Sequence, residues 1–167
     1  MLEVILKIQG FTLFELIVTV AILAILSVLA FPSMDNLIKS NKIKSTSGDI
    51  ANFIQQIRTE PIKTGRTTTI CASVDGSTSA SSTPEKWDVG LISKSTSITS
   101  TATKINSVLA FNEQRLIITG PTKIDFNSIG ATDNTYQITV SMAGQDTYSI
   151  CVAVAGRAER VKGSSCG

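Results

Sequence analysis

The feature that most constrains this chain is an uninterrupted apolar segment near its amino terminus. Residues 11–31 contain one acid, Glu15, and no base. At about 1.5 Å of rise per helical residue, a helix over this segment matches the roughly 30 Å hydrocarbon core of a bilayer. We therefore predict a membrane-spanning helix over 11–31. Because a carboxylate inside a bilayer is costly, Glu15 is expected to have a functional partner.

The residues at the start of this segment predict that the chain is cut there. An ordinary secretory signal has its cleavage site after the apolar stretch, whereas the small residue Gly10 precedes it here. Cleavage after Gly10 would retain the helix and create a new α-amino group on Phe11. That amine can pair with Glu15 of the same helix or with Glu15 of a neighbouring subunit.

Residues 10–16, GFTLFEL, resemble the processing motif of the type IV pilins and the type II secretion pseudopilins. The resemblance implies a leader peptide over 1–10, cleavage between Gly10 and Phe11 by a prepilin peptidase, and N-methylation of Phe11. It also implies that Phe11 and Glu15 carry assembly of the subunit into a fibre. Pro32 lies where many of these proteins have a helix-kinking proline.

The helical pattern continues beyond the apolar segment. Apolar residues recur at spacings of three, four and seven up to Ile57, which predicts an amphipathic helix. Its end is predicted just before Pro61, because proline disfavours helical geometry in the residue that precedes it. We assign 32–60 to a periplasmic half of the same helix, whose apolar face packs on the domain behind it.

From residue 61 to 167 the pattern changes to short Thr-, Ile- and Val-rich runs, which predict antiparallel strands. The runs are 66–73, 87–93, 107–112, 115–119, 123–127, 135–142 and 147–154. Hairpin turns are predicted at 112–114 and 143–146, and solvated Ser/Thr-rich loops at 75–83 and 93–103. Trp87 is expected in the core. The predicted class is α+β, a long amino-terminal helix packed on an antiparallel sheet domain of unknown strand order.

The chain has three cysteines and no histidine. The lack of histidine removes His-dependent triads and most zinc sites, so no enzyme activity, metal or other cofactor is predicted. In an exported chain, three cysteines indicate one disulfide and one free thiol. A bridge between Cys151 and Cys166 would tie the carboxyl-terminal tail to the last strand, and Cys71 with Cys151 is the rival pairing.

The carboxyl-terminal tail concentrates positive charge. The net charge of +2 is too small to mark a nucleic-acid-binding protein by composition, but the tail contains Arg157, Arg160 and Lys162 within six residues. Flexible basic side chains contact phosphates without reading sequence, so these three residues are candidates for DNA binding. The alternative is a solvated tail that makes rim contacts to a partner subunit.

The second half of the chain resembles the GspH/FimT/FimU group of minor pilins and pseudopilins. The shared features are, in chain order, RTEPIK at 58–63, IC at 70–71, WDVG at 87–90 and ICVAVAGR at 150–157. The resemblance implies the type IV pilin fold and a FimU-like minor pilin. Such a subunit helps to prime pilus assembly, sits at or near the pilus tip, and supports twitching motility, adhesion and DNA uptake.

Two alternatives remain open. The first is a FimT-like DNA-binding minor pilin for natural transformation; FimT relatives bind DNA through a Gly-Arg-x-Arg motif, where this chain has GRAER at 156–160. The second is a GspH-like pseudopilin of a type II secretion system.

The resemblance also implies partners and a location. The partners are other minor pilins, the major pilin, the prepilin peptidase, the inner-membrane assembly platform and the membrane, with DNA added in the FimT-like case. The chain would be a single-pass inner-membrane protein with a periplasmic carboxyl-terminal domain. After assembly it would form part of the extracellular fibre.

Overall fold

The computed structural model describes residues 11–73, 87, 90–96, 103–111 and 115–166, which form one long helix and eight strands. The helix α1 spans Leu13–Thr64. The strands are β1 Thr68–Ala72, β2 Gly90–Thr96, β3 Thr103–Ala110, β4 Ile117–Thr119, β5 Lys123–Phe126, β6 Tyr136–Ser141, β7 Tyr148–Val152 and β8 Ala158–Lys162. They form two antiparallel sheets, ordered β3-β2-β1-β5 and β4-β6-β7-β8. The predicted α+β class is confirmed.

The chain divides into two compact units, Met1–Ile38 and Lys39–Gly167. The first unit holds the apolar half of α1, and the helix assignment continues through Pro32. By a hydropathy criterion, no helix in the described part of the chain qualifies as a membrane span. The predicted span over 11–31 stays a prediction, and the predicted leader 1–10 lies outside the described residues.

The second unit contains the amphipathic half of α1. Ile43, Ile50, Ile54 and Ile57 are all at most 1% exposed, and their spacings of seven, four and three place them on one face of the helix. Each buried isoleucine contributes roughly 1.5–3 kcal/mol relative to an exposed one. The predicted amphipathic pattern is therefore confirmed, and its apolar face belongs to the core that the sheets complete.

The helix ends one turn later than we predicted. It continues past Pro61 to Thr64, and the Gly65 N–H donates to the Pro61 carbonyl at 2.8 Å. Gly65 has a φ of 67°, which is the left-handed geometry that commonly follows a helix. Proline only disfavours helical geometry in its predecessor and removes one hydrogen bond, so packing of the buried face outweighs it here.

The sheets supply the other side of the core. Ile70, Ile124 and Phe126 come from the first sheet, and Ile138 and Ile150 from the second; all five are fully buried. The predicted turn at 143–146 is confirmed, since it joins β6 to the antiparallel β7. The predicted turn at 112–114 and the predicted loop at 75–83 lie outside the described residues.

Trp87 is in the core, as predicted. It is fully buried and its Nε1–H donates to the Pro121 carbonyl at 2.8 Å. It precedes β2, which begins at Gly90 and runs to Thr96. The prediction of a loop over 93–103 is therefore wrong at 93–96, and also at Thr103, where β3 begins four residues before the strand predicted at 107. Buried Ser93 and Ser95 share the inner face with apolar neighbours, and a Ser/Thr-rich composition concealed that alternation.

Candidate functional site

The start of α1 is capped by the processing motif itself. The Glu15 N–H donates to Thr12 Oγ1 at 3.2 Å, and the Leu16 N–H donates to the Thr12 carbonyl at 3.2 Å. Thr12 is therefore the N-cap, and Glu15 stands three residues later, where a capping box has its acid. A carboxylate in the first turn also interacts favourably with the helix dipole. Gly10, the other predicted processing residue, lies outside the described part.

The side chains around this cap are apolar and exposed. Phe11, Leu13 and Phe14 are 72–76% exposed. The exposed large apolar residues that follow are Leu16, Ile17, Val18, Val20, Ile22, Leu23, Ile25 and Leu26. They cover consecutive positions around the helix rather than one stripe. A helix that is apolar on all sides is normally buried in other helices or in lipid.

Two of the three carboxyl-terminal bases, Arg160 and Lys162, lie on a strand, which corrects the predicted flexible tail, and Arg157 directly precedes that strand. Residues 158–162 form β8, paired with β7 from Val152↔Ala158 to Tyr148↔Lys162. Ala158 packs against the core. Because side chains alternate along a strand, Arg160 and Lys162 share the face of Ala158, while Glu159 points to the other face. The pairing with β7 orders a segment whose apolar residues are Ala158 and Val161.

The structure does not bring the three candidate DNA-binding residues together. The Arg157 guanidinium pairs with the Glu159 carboxylate at 3.0 Å, on the face opposite Arg160 and Lys162. Lys162 pairs with Asp146 at 2.7 Å, and this hydrogen bond raises the pKa of the Lys162 ammonium. Two of the three positive charges are thus offset by an adjacent carboxylate.

Arg160 has a structural contact that the sequence did not reveal. Its guanidinium donates to the Lys44 carbonyl of α1 at 2.9 Å and lies 5.5 Å from the centre of the Tyr148 ring. The same guanidinium lies 3.5 Å from where a Cβ of Gly48 would stand. An arginine over an aromatic ring gains a cation–π attraction. Arg160 therefore joins β8 to the helix.

The Cys151–Cys166 disulfide is present, as predicted, and Cys71 is the free cysteine. The bridge folds the tail back over the outer face of the second sheet. Gln137 holds the same tail with both ends of its amide: Nε2 donates to the Ser164 carbonyl at 2.6 Å, and Oε1 accepts from the Cys166 N–H at 3.3 Å. The tail is thus fixed by a covalent bond and by hydrogen bonds.

An open hollow of about 470 Å³ lies beside this bridge, lined by residues that include Tyr136, Gln137, Arg157 and Glu159.

Half-buried Cys71 lies on a different strand, and burial raises the pKa of its thiol. Within the described residues, no group of three His, Cys, Asp or Glu side chains could hold a metal ion.

Comparison with known families decides what kind of subunit this is. Residues 5–31 match the model described as a prokaryotic N-terminal methylation motif. Residues 46–156, about two thirds of the chain, match the model described as type II transport protein GspH. The chain belongs to the GspH family. With the methylation motif, it is a GspH/FimT/FimU-type pilin or pseudopilin, and the motif implies a membrane-anchored or pilus protein.

Solved structures agree with this membership. Two crystal forms of the type IV minor pilin FimU of Pseudomonas aeruginosa PAO1 match with TM-scores of 0.58 and 0.56. Their sequences are 17% and 16% identical to this GspH-family chain; the matches cover 76% and 74% of it, and 96% and 99% of FimU. At such identity the likeness shows the type IV pilin fold. No curated protein sequence matches the chain.

In general, GspH-family proteins are structural subunits that assemble with other pilins, and they are not enzymes.

Proposed function

We propose that this chain is a FimU-like minor pilin. A prepilin peptidase cuts between Gly10 and Phe11 and methylates the Phe11 amine. Residues 11–31 then anchor the subunit in the inner membrane, with the domain from residue 39 in the periplasm. At the assembly platform the subunit helps to prime the fibre, joins other minor pilins and the major pilin, and ends at or near the tip. There it would support twitching motility and adhesion.

The observation that carries this proposal is the capped start of α1. The N-cap residue Thr12 is the second residue after the proposed cut. Cleavage would therefore leave the Phe11 amine next to a helix whose amino-terminal end is already capped. Glu15 is exposed there among apolar side chains. Its carboxylate is available to an ammonium group, and the pairing would be strong where water is scarce.

The test separates the charge of Glu15 from its position in the cap. Glu15→Gln keeps a side chain suited to the third position of the helix and removes the charge, whereas Glu15→Ala removes both. We expect both variants to be cleaved after Gly10 and to be depleted from sheared fibres, because both lack the charge. Asp49→Asn, which removes an exposed acid elsewhere, serves as the control.

The measurements are the mass of the amino-terminal peptide, the amount of subunit in sheared fibres, and twitching zones. Fibres that contain normal amounts of the Glu15→Gln variant would show that the charge is not needed and would refute this account of Glu15. If a deletion strain twitches normally, the proposed role in the pilus fails.

A pseudopilin role is the second candidate, and the description of the matching family model favours it. The same deletion strain discriminates the two roles. Loss of protein secretion with normal twitching would assign the chain to a type II secretion system. Loss of twitching with normal secretion supports the minor pilin.

DNA uptake is the remaining alternative, and the geometry does not favour it. Arg157 and Arg160 lie on different faces of the sheet, and a carboxylate pairs with Arg157. We expect the protein to show no salt-sensitive DNA binding in a titration near physiological salt. Binding that Arg157→Ala/Arg160→Ala abolishes would restore the DNA-receptor alternative, because phosphate contacts depend on such bases.

A further inference from the structure

One end of the second unit carries a group of bases. We call this group the basic collar. It consists of Lys39, Lys42, Lys44, Arg115, Arg160 and Lys162. The first three lie on α1 within six residues of the point where the second unit begins.

Two contacts show that the bases of β8 lie at this same end. The Gln55 Nε2 donates to the Ala158 carbonyl at 2.8 Å, and Arg160 donates to the Lys44 carbonyl at 2.9 Å. Along its length, β8 therefore runs from the level of Gln55 toward the level of Lys44. Lys162 continues in that direction, toward the first residues of the unit.

The collar occupies more than one side of the helix. Lys42 lines a hollow with Leu109 and with Leu116, the residue that follows Arg115 in the sequence. The Lys44 carbonyl, by contrast, faces β8. Residues two apart on a helix point in widely different directions, so these two lysines lie on different sides of α1. A contact with one neighbouring helix would use one side only.

Positive charge exceeds negative charge at this end. Among the described residues of the second unit, contacts place two acids beside the collar, Asp49 and Asp146, against six bases. Asp146 pairs with Lys162, and Asp49 accepts a long hydrogen bond of 3.5 Å from Ser45. The net excess is positive, and the complementary surface is anionic.

The predicted membrane segment ends close to the collar along the chain. Lys39 follows Phe31 by eight residues. Eight residues span about 12 Å as a helix and at most about 29 Å when fully extended. Chain length alone therefore keeps Lys39 within about 29 Å of the end of the predicted membrane segment.

We propose that the basic collar binds anionic phospholipid headgroups of the phosphatidylglycerol type while the subunit is anchored in the membrane. The inference rests on the proposed function, because it requires residues 11–31 to span the bilayer. Bases near an anionic membrane surface gain a favourable interaction that decays within a Debye length. Binding would hold the domain against the membrane until the subunit leaves for the fibre.

The test uses the full chain in lipid nanodiscs of phosphatidylcholine, with or without phosphatidylglycerol. An amine-reactive reagent labels lysines, and peptide mass spectrometry gives the rate at each one. We expect Lys42 and Lys44 to react about fivefold more slowly with phosphatidylglycerol present at low salt. High salt should abolish the difference. Lys63, which lies in the last turn of α1 and therefore away from the collar, is an internal control and should react at equal rates in both discs.

Variants give a second readout. Arg160→Gln/Lys162→Gln should reduce the lipid-dependent protection of Lys42 and Lys44, whereas Lys63→Gln should not. Trp87 fluorescence confirms that each variant is folded. Equal labelling of Lys42 and Lys44 in the two discs overturns the collar proposal.

Two further outcomes have distinct meanings. Equal protection by soluble glycerol phosphate in phosphatidylcholine discs would overturn a lipid ligand in favour of a free phosphate. A chain that fails to copurify with either disc refutes the membrane anchor, and with it the proposed function. Insertion without lipid-dependent protection refutes the collar alone.

Discussion

Removing the Cys151–Cys166 bridge should destabilise the domain by about 3 kcal/mol, from the loop-closure entropy of a bridge of this span. The bridge spans 15 residues. The change is Cys151→Ser/Cys166→Ser, made in a Cys71→Ser background so that no thiol remains. The matched reference is Cys71→Ser alone. The bond also holds the tail that Gln137 contacts, but those hydrogen bonds can persist without it.

The assay is urea unfolding followed by fluorescence. The chain has one tryptophan, Trp87, which is fully buried, so its emission should change when the core opens. For a slope of roughly 1.5 kcal/mol per molar urea, the midpoint should fall by about 2 M. Gln137→Ala provides a comparison that keeps the bridge and removes hydrogen bonds to the tail, with an expected loss of about 1–2 kcal/mol.

The result that would refute this reasoning is a loss below about 1 kcal/mol with an unchanged slope. It would mean that the unfolded chain gains little freedom when the bridge is removed. A loss as small as that of Gln137→Ala would indicate that the tail hydrogen bonds, rather than loop closure, fix this segment.

Two further predictions concern single positions. Gly156→Ala should destabilise the domain by more than Gly144→Ala, measured by thermal unfolding: both glycines have a φ of 76°, but an added Cβ would lie 1.9 Å from the Gly130 carbonyl oxygen only at position 156. The shared backbone strain should cost about 1 kcal/mol, and equal losses would contradict the close approach. The Asp133 carboxylate accepts a hydrogen bond from the Tyr136 hydroxyl and raises the pKa of that phenol to about 12. Ultraviolet titration should therefore show Tyr136 losing its proton near pH 12. Asp133→Asn should lower the pKa of Tyr136 toward about 10. Because the folded pKa is the higher one, the stability from this bond is fully present below pH 10 and is lost as the pH rises through about 12.

The helix was predictable from the sequence because its apolar residues recur at short, regular spacings along the chain. Ile50, Ile54 and Ile57 recur at helical spacing, and burial of one face follows from that spacing alone. Its end was not predictable to the residue. Pro61 is a strong local signal, and the tertiary packing that overrides it has no sequence pattern of its own.

β8 escaped prediction for the opposite reason. Its five residues, AERVK, include three charges and bury only part of Ala158. Its partner β7 and the nearby bridge order this strand. It therefore does not need the alternation of apolar and polar residues that marks a strand in a sequence, and AERVK does not show that alternation. The contact between Arg160 and Lys44 joins positions 116 residues apart, and no local pattern encodes it.

The predicted basic site illustrates the same limit. Arg157, Arg160 and Lys162 are close in sequence, and proximity suggested one patch. Strand geometry separates Arg157 from the other two, and Asp146, which pairs with Lys162, belongs to the turn between β6 and β7. The predicted Cys151–Cys166 pairing is confirmed, but the sequence alone left the rival pairing of Cys71 with Cys151 open.

The boundary of the GspH family match gives β8 a particular importance. The match ends at Gly156, two residues before the strand begins at Ala158. The last ten described residues therefore lie outside the family pattern. They are attached by the β7–β8 pairing, by the Cys151–Cys166 bond and by side-chain contacts of Arg160, Gln55 and Gln137. A different carboxyl-terminal strand could be grafted onto the same core after Gly156, with these attachments and the core contact of Ala158 retained, to change the surface charge of the subunit without altering its interior.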